Sequence, residues 1–248
     1  MRTRIIFLVF SIAFVVGAKA QVKVDVDFGK RGPVITSDHY GVFFEELSHA
    51  GDGGLYAEMI QNRSFEDDTS TPVHWSAIGN AKIELTTNKM MNVHQGHALL
   101  LNIINSGDGV KNDGYWGISV ESGTSYDVSF WIRSDEEWDG YVTGMFIDSK
   151  NNQVGRKSIN VTSSDEWQQY KMKITATGGD GGGTFELHFS NPGKLMLDMV
   201  SVFPPTFMNR ENGMRKDLAQ MFADLNPAFM RFPGGCYSEG TFDRGSDC

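Results

Sequence analysis

A chain of 248 residues, 40% hydrophobic and 21% charged, has the composition of a globular protein and room for one large domain or two small ones. Its formal net charge of −9, with no local Lys/Arg cluster, excludes a nucleic-acid backbone as partner, because that affinity needs clustered cations. The 28 Gly and 12% aromatic content suit many short strands and turns, or a sugar-binding surface, and a neutral polysaccharide is compatible with the charge.

The first twenty residues read as a signal peptide. Arg2 and Arg4 supply the positive start, Ile5 to Val16 is an apolar run too short to span a bilayer comfortably, and Ala18-Lys19-Ala20 is a small-x-small cleavage site that leaves Gln21 first. No Cys follows the run to carry a lipid, and no later segment is long and apolar enough to span, so no membrane span is expected after cleavage. The mature protein is expected to be exported, to the periplasm or beyond it.

Val22, Val24, Val26 and Phe28 alternate with polar residues, which predicts a half-buried strand. Gly41 to Phe44 reads as a buried strand ending in Glu45-Glu46. Gly51 to Gly54 is a loop, and Leu55 to Asn62 reads as a helix with Leu55, Met59 and Ile60 on one face, giving a β/α unit.

From about Asp67 the pattern changes. Tyr126 to Ile132, Met172 to Ile174, Phe185 to Phe189 and Leu195 to Met199 each alternate with period two, and turn clusters such as Glu121 to Thr124 and Gly178 to Gly183 lie between them. Short strands with no helical period from Pro72 to Pro204 predict an antiparallel β-sandwich. After Pro204-Pro205, Asn212 reads as the cap of a helix through Leu225, with Met214, Leu218, Met221, Phe222 and Leu225 on one face. Asn226-Pro227 stops it, and Ala228 to Phe232 is a short apolar strand leading into Pro233-Gly234-Gly235-Cys236.

The simplest organisation is α/β plus all-β, with residues 1–20 as signal, 21–68 as the start of an α/β domain, 69–205 as an inserted sandwich and 206–248 as the resumed α/β domain. Two parallel strands cannot form a sheet covered on both faces, so the α/β part is expected to be incomplete and the chain a fragment.

Glu45 and the Gly234-Gly235-Cys236 turn each lie where an apolar strand meets a loop, at the strand's C-terminal end, where parallel barrels build their sites. A carboxylate there can accept hydrogen bonds from sugar hydroxyls, and a double Gly lets backbone N–H groups come close to a ligand. Spacing alone weighs this evenly against a plain loop acid and a tight turn. Trp116 beside Tyr115, and Trp75, Trp131, Trp138 and Trp167, could stack on sugars, although core packing is the favoured reading for each. A disulfide between Cys236 and Cys248 is disfavoured, because Cys236 sits in the Gly-rich turn. Asn62-Arg63-Ser64 and Asn160-Val161-Thr162 are sequons short enough to arise by chance. No metal cluster, phosphate loop or nucleotide fingerprint occurs, so no metal and no cofactor are expected.

Four stretches in order carry a resemblance. These are Tyr40-Gly41-Val42-Phe43-Phe44-Glu45-Glu46-Leu47, Gly53-Gly54-Leu55-Tyr56-Ala57-Glu58, Gln61-Asn62-Arg63-Ser64-Phe65-Glu66 and Met230-Arg231-Phe232-Pro233-Gly234-Gly235-Cys236. Through them the chain resembles the α-L-arabinofuranosidases of glycoside hydrolase family 51, and the middle region resembles the carbohydrate-binding-type sandwich that one branch inserts there. The resemblance implies the N-terminal part of a (β/α)8 barrel interrupted by a jelly-roll, galactose-binding-like sandwich. It implies that Glu45 binds arabinose hydroxyls and that Gly235 and Cys236 line the same pocket, with Glu46, Glu239 and His49 as weaker candidates. Asn62 belongs to a family stretch, which argues against glycosylation there.

The implied mechanism is retaining, with a carboxyl pair about 5–5.5 Å apart. The family's acid/base lies in an Asn-Glu pair that no residue pair here matches, so no catalytic residue is assigned and the fragment is expected to be inactive. The expected partner is an arabinose-containing polysaccharide or oligosaccharide, and a homo-oligomer is compatible with the sequence. The alternatives are a non-catalytic glycan-binding protein, and a related xylosidase or endoglucanase on the same fold.

Overall fold

The protein is described by a computed structural model covering residues 22–232 and 234–235. The chain divides into two units, Met1–His39 and Tyr40–Cys248. In the first unit the described residues form no strand. Val22, Val24, Val26 and Phe28 are exposed, and the regular structure is a single 3-10 turn at Ser37–His39. The strand expected over residues 22–28 is therefore absent: alternation makes a strand only where a partner supplies a ladder, and none of the described residues does.

The second unit is dominated by two five-stranded antiparallel sheets. One runs in the order β2 (Trp75–Ile78), β5 (Gly109–Asn112), β10 (Thr184–Phe189), β7 (Trp138–Ile147) and β8 (Gln153–Ser163). The other runs β3 (Lys82–Thr86), β4 (Ala98–Ile103), β11 (Gly193–Phe203), β6 (Ser125–Arg133) and β9 (Gln168–Thr175). Period-two alternation turns one face of each strand inward. Phe185, Leu187 and Phe189 of β10 meet Leu99 and Leu101 of β4, Phe130 and Ile132 of β6 and Leu195 and Leu197 of β11 in one buried core. Aromatic rings fill its middle, with Tyr126 and Phe146 at 5.1 Å and Phe146 and Phe185 at 5.6 Å between centroids. Burying each such ring contributes about 1.5–3 kcal/mol.

Outside the sandwich, β1 (Gly41–Phe43) pairs in parallel with β12 (Phe229–Arg231), Val42 opposite Met230. Two flanking bonds extend the pairing: Phe44 N–H donates to Arg231 O at 2.9 Å, and Ala228 N–H donates to Tyr40 O at 2.9 Å. The helix α1 (Lys216–Asp224) precedes β12 and brings Phe222 within 6.0 Å of Phe44, which is buried. Phe43, Phe229, Met230 and Phe232 stay largely exposed.

Two expected helical features differ. Leu55 to Asn62 is not a helix. Met59 N–H donates to Val202 O and Leu55 O accepts from Arg215 N–H, so the two groups that would make the first helical bond are spent on distant chain, and Ala57 N–H donates to Gly213 O. Glu58 completes the anchorage. Its carboxylate is 3% exposed and accepts from the amides of Val202 at 2.8 Å, Met59 at 3.0 Å and Ile60 at 3.1 Å, from the Ser201 hydroxyl, and from Arg63 at 3.4 Å. Asn212 is also not the helix cap. The stretch before α1 is held extended by the pairings Thr206 with Arg215 and Tyr56 with Met214, so the cap falls at Arg215. The helix ends where Asn226 takes a positive φ of 46° ahead of Pro227.

Candidate carbohydrate-binding site

The parallel pair fixes where Glu45 and the Gly-rich turn lie. β1 runs out at Phe43 and β12 at Arg231, so Glu45 and Gly234-Gly235 leave the same end of the two-stranded sheet. Gly234 has φ of 84°, a left-handed conformation that favours glycine, and a β-carbon on it would strike Phe44 O. A β-carbon on Gly235 would overlap the Glu45 carboxylate. The double Gly thus lets the turn lie directly against the acid, and Glu45 and Gly235 share one spot. Cys236 and Glu239 lie outside the described residues, as do Cys248 and the signal segment.

Past Glu45 the chain folds back on itself. Leu47 N–H donates to Glu45 O at 3.1 Å, Ala50 N–H to Leu47 O at 3.0 Å, and the Glu46 carboxylate accepts from Asp52 N–H at 3.3 Å. Glu46 therefore braces its own loop. That loop meets the sandwich: Gly53, with φ of 79°, lies flat against the Tyr115 ring. His49 stands 5.1 Å from Tyr115 and 5.7 Å from Trp116. Burial, with the negative charges of Asp52 and Glu58 nearby, drives the Tyr115 phenol well above its ordinary pKa, so it is a neutral donor.

Beside this contact a cleft of about 720 Å³ is lined by Tyr56, Tyr115, Trp116, Glu121, Arg215 and Asp217 among others. The five tryptophans separate clearly. Trp75 and Trp138 are core residues, their indole N–H groups donating to Asn62 O at 2.9 Å and Asn191 O at 3.2 Å. Trp131 and Trp167 are half-buried, and Trp116 is 66% exposed. Asn62 is buried, its side chain bonded to Val73 O and Asp67 N–H, so this sequon is closed to modification in the fold. The His49–Tyr115–Trp116 contact was not legible from spacing, because its members are more than sixty positions apart. The signal available was a Gly-Gly loop and an adjacent aromatic pair. Among the described residues no group of three or more His, Cys, Asp or Glu is arranged to hold a metal ion, and no helix is long and apolar enough to cross a membrane.

An antiparallel two-sheet sandwich with an aromatic loop at one edge places the chain in the class of β-sandwich modules. Its sequence matches the profile of the family described as a carbohydrate binding domain over residues 57–193, and the chain belongs to that family. The similarity reaches further than the sandwich. The chain is 36% identical over 221 residues to an extracellular exo-α-L-arabinofuranosidase of Streptomyces chartreusis, covering 86% of this chain and 26% of that protein. It is 36% identical over 236 residues to α-L-arabinofuranosidase 2 of Arabidopsis thaliana, covering 88% of this chain and 34% of that one. Among solved structures, an arabinose-bound α-L-arabinofuranosidase of glycoside hydrolase family 51 superposes with a TM-score of 0.78 at 31% identity, over 84% of this chain and 36% of that chain. The chain thus spans about a quarter to two-fifths of the length of the curated relatives it matches.

Proposed function

We infer that the chain is the N-terminal part of an exported α-L-arabinofuranosidase that releases terminal arabinofuranosyl residues from plant polysaccharides by a retaining mechanism. The observation that carries the reading is the apposition of Glu45 and Gly235 at one end of a parallel strand pair, reached from both sides of an inserted sandwich. In a (β/α)8 barrel that end is the catalytic face. The exposed apolar residues of β1 and β12 support further strands and helices beyond this pair, since parallel sheets are covered on both faces. In this reading residues 1–20 are a signal peptide, 21–68 and 206–248 belong to the barrel, and 69–205 form the jelly-roll insertion.

Glu45 holds the hydroxyls of the terminal sugar, and Gly235 and Cys236 shape the wall beside it. The acid/base and nucleophile come from residues outside this chain. A carboxylate hydrogen bond to a sugar hydroxyl contributes about 1.5–3 kcal/mol, so Glu45→Ala in the full-length gene product should lower kcat/KM on an aryl α-L-arabinofuranoside roughly 10- to 150-fold. The aryl β-xyloside serves as the comparison substrate. A full-length product that cleaves the xyloside in preference, or neither substrate, defeats the reading. Glycan binding by the 248-residue chain with no hydrolysis by any longer product of its gene would instead leave a non-catalytic binding module.

A further inference from the structure

We propose that Trp116 forms a glycan-stacking subsite, contributed by the sandwich beside the Glu45 rim, that takes a sugar unit of the polymer next to the terminal arabinofuranose. The identity of the polymer rests on the arabinofuranosidase reading; the subsite itself rests on geometry. Trp116 is 66% exposed, whereas Trp75 and Trp138 of the same sandwich are each 6% exposed. Its exposure is not looseness. Gly114 N–H donates to the Asn112 side chain at 2.9 Å, and Asn112 is itself fully buried and bonded to Gln61 O and His74 O. Gly117 N–H donates to Asp113 O at 3.0 Å and Ile118 N–H to Gly183 O at 2.7 Å. The loop is pinned on both sides of the indole, so the ring is held open to solvent on a rigid base. A fixed aromatic surface loses little conformational freedom when a ligand covers it, which is what a stacking platform requires.

The neighbours suit a neutral sugar. The His49 ring meets the indole at 5.7 Å with planes 76° apart, and Tyr115 lies 6.2 Å away. The cleft onto which Trp116 opens carries the Tyr115 phenol, the Glu121 carboxylate and the Arg215–Asp217 pair, bonded at 2.6 and 3.2 Å. Those groups offer both donors and acceptors to hydroxyls; Arg215 and Asp217 offset each other, and Glu121 adds one further acceptor carboxylate. The apolar face of a sugar ring has one large surface here to lie on. The subsite is also tied to the rim: His49 follows Glu45 by four residues, at most about 14 Å of extended chain. Glu45 and Trp116 are thus near enough for one oligosaccharide to touch both, whereas a single arabinose held at Glu45 does not require Trp116.

The test titrates the 248-residue chain with a linear arabinofuranosyl trisaccharide and, separately, with L-arabinose, following the indole N–H resonances. The trisaccharide should move the Trp116 signal while those of Trp75 and Trp138 stay in place. Trp116→Ala should weaken trisaccharide binding about tenfold, and Trp116→Tyr should keep it within about threefold. The melting temperature of Trp116→Ala should stay near wild type, because the side chain is mostly in solvent. Equal trisaccharide affinity in wild type and Trp116→Ala overturns the proposal. So does a full-length protein in which the Trp116 indole is shielded from acrylamide and its loss lowers the melting temperature by several degrees, since Trp116 would then be a packing residue. Failure of the full-length product to cleave the aryl arabinofuranoside strikes the arabinofuranosidase reading and leaves the binding result to decide the subsite.

Discussion

Replacing Asp198 with Asn tests how the sandwich carries a carboxyl held out of water. Asp198 lies in β11, where the register with β6 shifts between Asp198 and Ser201, and it is fully buried. Its Oδ1 accepts the Met199 N–H at 2.6 Å, while Oδ2 has no hydrogen-bond partner among the described residues. Burial is the main cause that pushes this carboxyl from 3.8 to about 7; the Glu66 charge adds to the rise, and the Met199 bond and Arg63 oppose it. A raised value means that the folded state prefers the proton. The stabilisation is complete below the ordinary carboxylate pKa and is lost as pH climbs through about 7. Roughly three units at about 1.4 kcal/mol each give about 4 kcal/mol as the largest change this one group can make. Asp198→Asn keeps an acceptor for Met199 and has no such proton to lose. Urea unfolding of both proteins from pH 4 to pH 8 gives the stability difference between them. That difference should move toward the variant by up to about 4 kcal/mol, mostly between pH 5 and pH 7. Subtracting one protein from the other cancels carboxyls shifted the opposite way, such as Asp68, whose bonds to Ser70 and Thr71 hold it at about 2. A difference that stays flat across this range would refute the reasoning.

Glu58→Ala should cost about 3–5 kcal/mol in urea unfolding, because it strands the Val202 amide, the Ser201 hydroxyl and the Arg63 guanidinium. Glu58→Gln should cost only about 1–2 kcal/mol, since Ser201 can turn to accept while Arg63 cannot; equal losses for the two variants would contradict the bonding described. Gly235→Ala should leave the melting temperature close to wild type but displace Glu45, lowering kcat/KM on the aryl arabinofuranoside in the full-length product about as far as Glu45→Ala does. Combining the two changes should add little further loss, and full additivity would show that they act at separate places.

The sandwich strands most legible in the sequence were those with strict alternation and a buried partner on each side. Tyr126 to Ile132 and Phe185 to Phe189 lie inside their sheets, paired on both sides, and their pattern survives intact. Ala98 to Ile103 carries four apolar residues in succession, and Gln153 to Ser163 is a polar edge strand, so neither announced itself. The helix expected over Leu55 to Asn62 failed for a tertiary reason. Local propensity there is outweighed by bonds to Val202, Gly213 and Arg215, residues about 140–160 positions away that no window reading can weigh. At the candidate site, the pairing of Glu45 with Gly235 followed from two strand ends and a family resemblance. The aromatic contact between His49 and Trp116 required the fold.

The parallel pair β1 and β12 joins residues about 190 apart, which on its own would make it a slow and entropically costly closure. The sandwich changes that. Once Glu58 is bonded to Val202, the unclosed chain between the paired strands falls to about 40 residues. By the (3/2)RT ln n relation this lowers the closure cost by about 1.4 kcal/mol. The sandwich therefore acts as a splint during folding: once its own strands have paired, it leaves β1 and β12 only a short closure to make.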